Sequence, residues 1–202
     1  MKNNKSKGVS EVIGYILTFS IVVLIVSTVY TAGMPMINDM KDTSAVQSIE
    51  VAFFTLQSTI GRTAVGQSPT SVIGLNIARG SMGVNQNSGT ITIYSGGTPQ
   101  EFNFSSIEYT LGHRKIIYEL GAVIVSHDGV DGIITSEPPI FFTNDTRPHA
   151  FISVINATGE FSVAGGFANM NIKHGDTRVH NSSYDTSFVN ITIRGTQFPR
   201  AW

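Results

Sequence analysis

One segment governs what this chain can become. From Val12 to Gly33 it reads VIGYILTFSIVVLIVSTVYTAG, 22 residues without a charge and mostly apolar. As an α-helix rising about 1.5 Å per residue it is about 33 Å long, enough to cross a hydrocarbon core of ~30 Å. Lys2, Lys5 and Lys7 precede it, Glu11 stands at its edge, and Asp39, Lys41 and Asp42 follow it with no basic excess. The positive-inside rule then puts the N-terminus in the cytoplasm and everything after about residue 34 outside. A cleaved secretory signal fits poorly, because its apolar region is shorter and ends at small residues. Here Tyr30 stands where a small residue is wanted before Ala32. An uncleaved signal anchor remains open.

The boundary in front of the apolar run is more particular. Lys7-Gly8-Val9-Ser10-Glu11-Val12-Ile13-Gly14 sets a basic residue, a glycine and a short polar patch directly before the helix. Over residues 5–33 this resembles the class III signal peptide of archaeal type IV pilins, in the minor pilin or pseudopilin branch. The resemblance implies that a prepilin peptidase reads Lys5 and Lys7 and cuts between Gly8 and Val9. Such a cut leaves the helix on the mature protein. A glycine there lets a protease approach the backbone closely. Archaellins carry a related signal, but Val-Ser-Glu-Val-Ile-Gly looks like the pilin branch. Glu11 has two readings. It sits in the first helical turn, where a carboxylate favours the positive end of the helix dipole. By resemblance to bacterial pilins, it neutralises the free α-amine of a neighbouring subunit during assembly. Glu11 would be the third mature residue, against the fifth in bacterial pilins.

The helical pattern outlasts the apolar run. Ile37, Met40, Ile49, Phe53, Leu56 and Ile60 form a stripe on one helical face. Pro35 should kink the helix. Gly61, Gly66 and Pro69 mark its end. A helix of about 50 residues, roughly 75 Å by its rise, is expected, its second half packed on the outer domain. Two helices broken between Pro35 and Ser44 are the alternative.

From Ser71 the period changes. Thr90-Ile91-Thr92-Ile93 alternates strictly, and Phe102/Phe104, Phe151/Val154, Phe161/Val163 and Phe188 to Ile193 read as short strands. Turns are expected at Asn85–Gly89, Ser95–Thr98, His127–Gly132 and Asn181–Asp185. Lys115–Val125 reads as one long strand with a bulge or kink at Gly121. About eight to ten strands follow, in a sandwich or a strongly curved sheet. The fold class is therefore α+β: a long N-terminal helix, then a β-rich domain. The expected segments are a leader at 1–8, a membrane and assembly helix at 9–33, its outer continuation at 34–66 and the β-rich domain at 67–202. Glu108-Tyr109 and Tyr118-Glu119-Leu120-Gly121-Ala122 resemble a hairpin of uncharacterised haloarchaeal and methanogen pilin-like proteins. The closing Pro199-Arg200-Ala201-Trp202 is similar to a segment of the same group.

Composition narrows the function. The net charge is −1, which gives no sign of a nucleic-acid-binding surface. There is no cysteine, so disulfides, thiol nucleophiles and Cys-ligated metals are excluded. His113, His127, His149, His174 and His180 are scattered without metal-ligand spacing. His127-Asp128-Gly129-Val130-Asp131-Gly132 lacks the spacing of an EF-hand loop and reads as a turn. No nucleophile elbow or phosphate loop occurs, so neither an enzyme nor a cofactor or metal site is expected. Five N-x-S/T sequons lie in the outer part, at Asn103, Asn144, Asn156, Asn181 and Asn190. Asn144, Asn156 and Asn181 fall in expected loops. Asn103 and Asn190 fall in expected strands and must face outward to be modified. The expected partners are the membrane, the peptidase and sister subunits of a filament. The rival expectation is an uncleaved, signal-anchored surface binding domain that does not polymerise.

Overall fold

The computed structural model describes residues 5–127, 131–143, 149–179 and 188–202, with residues 5–10 followed through their backbone alone. The turn expected at Asn181–Asp185 lies outside the described residues. Residues Lys5–Ala64 form a single α-helix, α1. Pro35 lies inside it and removes one backbone donor, yet the helix is not interrupted there. The chain divides into two compact units, Met1–Ser44 and Ala45–Trp202, and α1 contributes to both.

In the second unit, the helix is held by one apolar face. Val46, Ile49, Phe53, Leu56 and Ile60 recur at spacings of three and four, and all are buried. Ile37 and Met40, expected on the same stripe, are 46% and 62% exposed, so the buried stripe begins at Val46. The helix stops in a Schellman motif. Gln67 N–H donates to Arg62 O at 3.0 Å and Gly66 N–H to Thr63 O at 3.0 Å, with Gly66 left-handed at φ 76°.

Nine strands follow among the described residues: β1 Thr70–Tyr94, β2 Gln100–Leu111, β3 Arg114–Glu119, β4 Ala122–Ser126, β5 Ile133–Ser136, β6 Ile140–Thr143, β7 His149–Ile152, β8 Ser162–Lys173 and β9 Asn190–Arg194. The main sheet is antiparallel in the order β5-β4-β3-β2-β1-β8, and β9 pairs with the second half of β1. β6 and β7 form a separate pair. One main sheet, rather than two stacked ones, thus carries the domain.

Two local expectations are corrected. Asn85–Gly89 is not a chain reversal. β1 runs straight through it, and the register against β2 shifts there, as at a bulge. Ser88 and Ser106 hydroxyls meet across the strands at 2.6 Å, which satisfies the polar groups the bulge buries. Lys115–Val125 is not one bulged strand. It is the hairpin β3–β4, turned by Leu120 and Gly121 at φ 52° and 86°. A leucine in this left-handed region costs about 1–2 kcal/mol. Burial of its side chain against Ile91 and Phe104 offsets that cost. Gly121 admits no side chain, because a Cβ would lie 2.5 Å from Pro139.

Alternation sorts the sheet's two faces. Ile107, Tyr109, Ile116, Tyr118, Val123 and Val125 point to the helix stripe. Ile117 and Ile124 point the other way, where Phe198, Ala201 and Trp202 cover them. The sheet is therefore held between the helix on one face and the last residues on the other.

Candidate functional site

In the first unit, the feature with functional content is a surface. From Glu11 onward α1 holds an 18-residue window of mean hydropathy 2.5, none of it buried. This is one helix long and apolar enough to cross a membrane. Tyr15, Phe19 and Leu24 are 78%, 70% and 66% exposed. Four hydroxyls on this surface bond back to the helix itself. Thr18 donates to Gly14 O at 2.9 Å, Ser20 to Ile16 O at 2.8 Å, Thr28 to Leu24 O at 2.8 Å and Thr31 to Ser27 O at 2.9 Å. A hydroxyl bonded back to the preceding turn presents mostly its carbon to the surroundings. Such a surface suits lipid or a neighbouring apolar helix, since neither offers water to a stray donor. Lys5, Lys7, Gly8 and Val9 lie in the first turns of α1. Glu11 is exposed at the edge of the apolar run.

In the second unit the two motifs singled out in the sequence come together. Glu119, at the end of β3, is 1% exposed. Its Oε1 accepts from Trp202 Nε1–H at 2.7 Å and from Thr196 Oγ1 at 2.5 Å. Burial pushes its pKa up, against the lowering effect of these hydrogen bonds, and the nearby Glu108 carboxylate pushes it further up. Glu108 Oε1 accepts from Ser106 Oγ at 2.7 Å, Gln197 Nε2 at 2.8 Å and Asn85 Nδ2 at 3.2 Å. Lys115 donates to Gln197 Oε1 and lies 3.9 Å from Glu108 Oε2. Arg200 closes the segment with an ion pair to Asp131 at 2.7 Å. The carboxylates thus act as anchors for residues 196–202. Glu119 lies beneath Trp202 and Thr196, and this arrangement offers a substrate no direct path to it.

Other polar contacts fasten the helix. Gln57 Nε2 donates to Gly121 O at 2.7 Å and Glu137 O at 3.1 Å, while its Oε1 accepts from Ser136 Oγ at 2.6 Å. His174 Nδ1 contacts Thr63 O at 2.8 Å, and Thr177 Oγ1 donates to Ala64 O at 3.1 Å. His174 and Thr177 thus meet carbonyls of the last helical turn, the Thr63 carbonyl being shared with the Gly66 N–H of the Schellman motif. His174 is therefore part of a helix cap. Among the described residues, no group of three or more His, Asp or Glu is placed to hold a metal. Asp131 of the His127–Gly132 loop is engaged by Arg200, and Asp128 lies outside the described residues.

The sequons fare differently. Asn103 is exposed on β2 and Asn190 is exposed on β9. Asn156 is exposed in the irregular segment between β7 and β8. Asn144 and Asn181 lie outside the described residues. Sequence reasoning missed Gln57, Thr196 and the Glu119–Trp202 bond. The sole signal for the last was the pairing of two motifs noted separately.

A family of unknown function, DUF7289, matches residues 7–202. The chain belongs to this family. Two uncharacterized proteins of Archaeoglobus fulgidus are similar to it. One is 22% identical over 209 residues, covering 93% of this chain and 75% of the relative. The other is 24% identical over 252 residues, covering 98% and 82%. No solved structure matches.

Proposed function

We propose that this DUF7289 chain is a type IV pilin-like subunit of the minor pilin or pseudopilin kind. Its helix holds it in the membrane before assembly and packs among sister helices in a surface filament afterwards. The observation that supports this reading is the unburied apolar surface of residues 12–37 on a helix that also builds the outer domain's core. A surface of that size, with the hydroxyls of Thr18, Ser20, Thr28 and Thr31 turned back onto the helix, calls for an apolar environment outside the chain. Lipid supplies one and neighbouring helices supply the other. On this reading a prepilin peptidase removes residues 1–8, Glu11 meets the α-amine of Val9 on a neighbouring subunit, and the outer domain does no chemistry.

Mass spectrometry of the mature N-terminus tests the proposal. A chain beginning at Val9 is expected. A chain beginning at Met1 or Lys2 in the cell would sink it and favour the rival, an uncleaved anchor carrying a monomeric surface domain. The rival shares the helix; it differs in keeping the Gly8–Val9 bond intact and in staying out of a filament.

A further inference from the structure

The sequons of Asn103, Asn156 and Asn190 are not equivalent once the chain is folded. We propose that, of the three sequons whose asparagines are among the described residues, Asn156 is the one that accepts an N-glycan, and that Asn103 and Asn190 are not used. The inference rests on the reading above only in needing this domain outside the cytoplasm.

The N-x-S/T motif asks for two accessible groups: the asparagine amide and the hydroxyl two residues on. At Asn103 the amide is exposed, but Phe104 is 0% exposed and Ser105 is 2% exposed. The Ser105 hydroxyl is already engaged, donating to Gln86 O at 3.0 Å. A transferase would have to peel β2 from β1 to reach it. Asn190 begins β9, and Thr192 is paired with Thr92 of β1, so its sequon is fixed in an extended ladder. Asn156 differs in both respects. It lies in a segment that joins no sheet, and Asn156 and Thr158 are both exposed. Ile155 and Ala157 alternate with them and pack against the core beneath the helix. The segment is tied at both ends. Ser153 N–H donates to Pro139 O at 3.1 Å, and Val84 N–H donates to Phe161 O at 3.0 Å.

One hydrogen bond holds the Asn156 side chain. Its Oδ1 accepts from Ser105 N–H at 2.9 Å, which leaves Nδ2 as the group to be modified. A polyprenyl-phosphate-linked oligosaccharide would be the donor. The Nδ2 nitrogen forms a bond to the anomeric carbon, the bond from that carbon to the phosphate oxygen breaks, and the lipid phosphate leaves. The amide proton passes to a base of the transferase. The product keeps its carbonyl oxygen, so the bond to Ser105 survives glycosylation.

The test uses the full chain, expressed in an archaeal host that makes N-glycans, with glycopeptide mass spectrometry at each site. Glycan is expected on Asn156. Thr158→Ala, an exposed change that leaves the Asn156–Ser105 bond untouched, should abolish it, and Asn103→Gln should leave the glycan mass unchanged. Glycan persisting on Asn156 in Thr158→Ala overturns the proposal, as does glycan on Asn103 or on Asn190. Protease added to intact cells reads whether the domain is outside. A bare Asn156 in a protease-accessible domain overturns the proposal alone. A bare Asn156 in a protected domain overturns it together with the topology beneath it. The N-terminal mass on the same sample reports the Gly8–Val9 cut separately.

Discussion

The two ends of α1 belong to one unbroken helix and have opposite fates. Between Val12 and Ile37 the large apolar side chains are exposed, whichever way they face. Between Val46 and Ile60 only one stripe is apolar enough to matter, and it is buried in the core. A helix that is apolar all round has no inside to offer its own domain, whereas an amphipathic one does. The first end must find its partners outside the chain. The second finds them in the sheet. This contrast makes one helix both a structural element of the domain and an unfilled surface.

Substitutions on the two ends should separate these roles most sharply. Phe53 is fully buried. Phe53→Ala should cost the outer domain about 3–5 kcal/mol. Phe19→Ala, on the exposed end, should leave the domain's stability unchanged. Denaturant unfolding of the full chain in detergent, followed by near-ultraviolet circular dichroism, reads both. Equal losses would break the comparison.

The converse experiment loads the exposed end. Leu24→Arg should cost about 2.5–3.5 kcal/mol of membrane insertion, the usual penalty for arginine at a helix centre. Val51→Arg, at a position 64% exposed on the other end, should cost none. Alkaline extraction of membranes measures the difference. Release of the native chain and of both variants alike would show that the first end does not sit in hydrocarbon.

Much of this contrast was legible in the sequence, because it is written in periodicity. The uncharged run, the lysines before it and the stripe from Ile49 to Ile60 need no tertiary information. What escaped depends on contacts distant along the chain. Asn85–Gly89 has turn composition, but Arg194 O and Phe104 approach so closely that a Cβ on Gly89 would lie 2.1 Å and 2.8 Å from them. That packing holds β1 extended where local preference would turn it. At Leu120 local preference opposes a left-handed leucine, and the hydrophobic pocket around it prevails. The buried role of Glu119 needs Trp202, 83 positions away. The roles proposed for Gly8, Val9 and Glu11 in cleavage and assembly rest on a resemblance alone.

A smaller effect probes the buried side of the comparison. The Tyr118 hydroxyl is buried without a hydrogen-bond partner among the described residues, and burial pushes its pKa up. Tyr118→Phe removes that uncompensated group and should stabilise the domain by about 1 kcal/mol. Chemical denaturation measures it. A loss of stability would mean that the hydroxyl is satisfied in solution.

The least change in stability, and the most telling about the sheet's second face, is expected at Glu119. Its pKa is raised in the fold, chiefly by burial. The folded state therefore binds this proton more tightly than the unfolded chain does. Stability from this group is fully present below the ordinary carboxylate range and declines as pH rises through the raised value. Glu119→Gln keeps an oxygen to accept from Trp202 and Thr196 but carries no charge. It should flatten that decline, so that the variant gains on the native chain as pH rises past the carboxylate range. Melting temperatures of both proteins across a pH series supply the measurement. A native chain that instead gains stability relative to Glu119→Gln over that range would show that the hydrogen bonds from Trp202 and Thr196 outweigh burial. The carboxylate would then be the form the domain is built to hold.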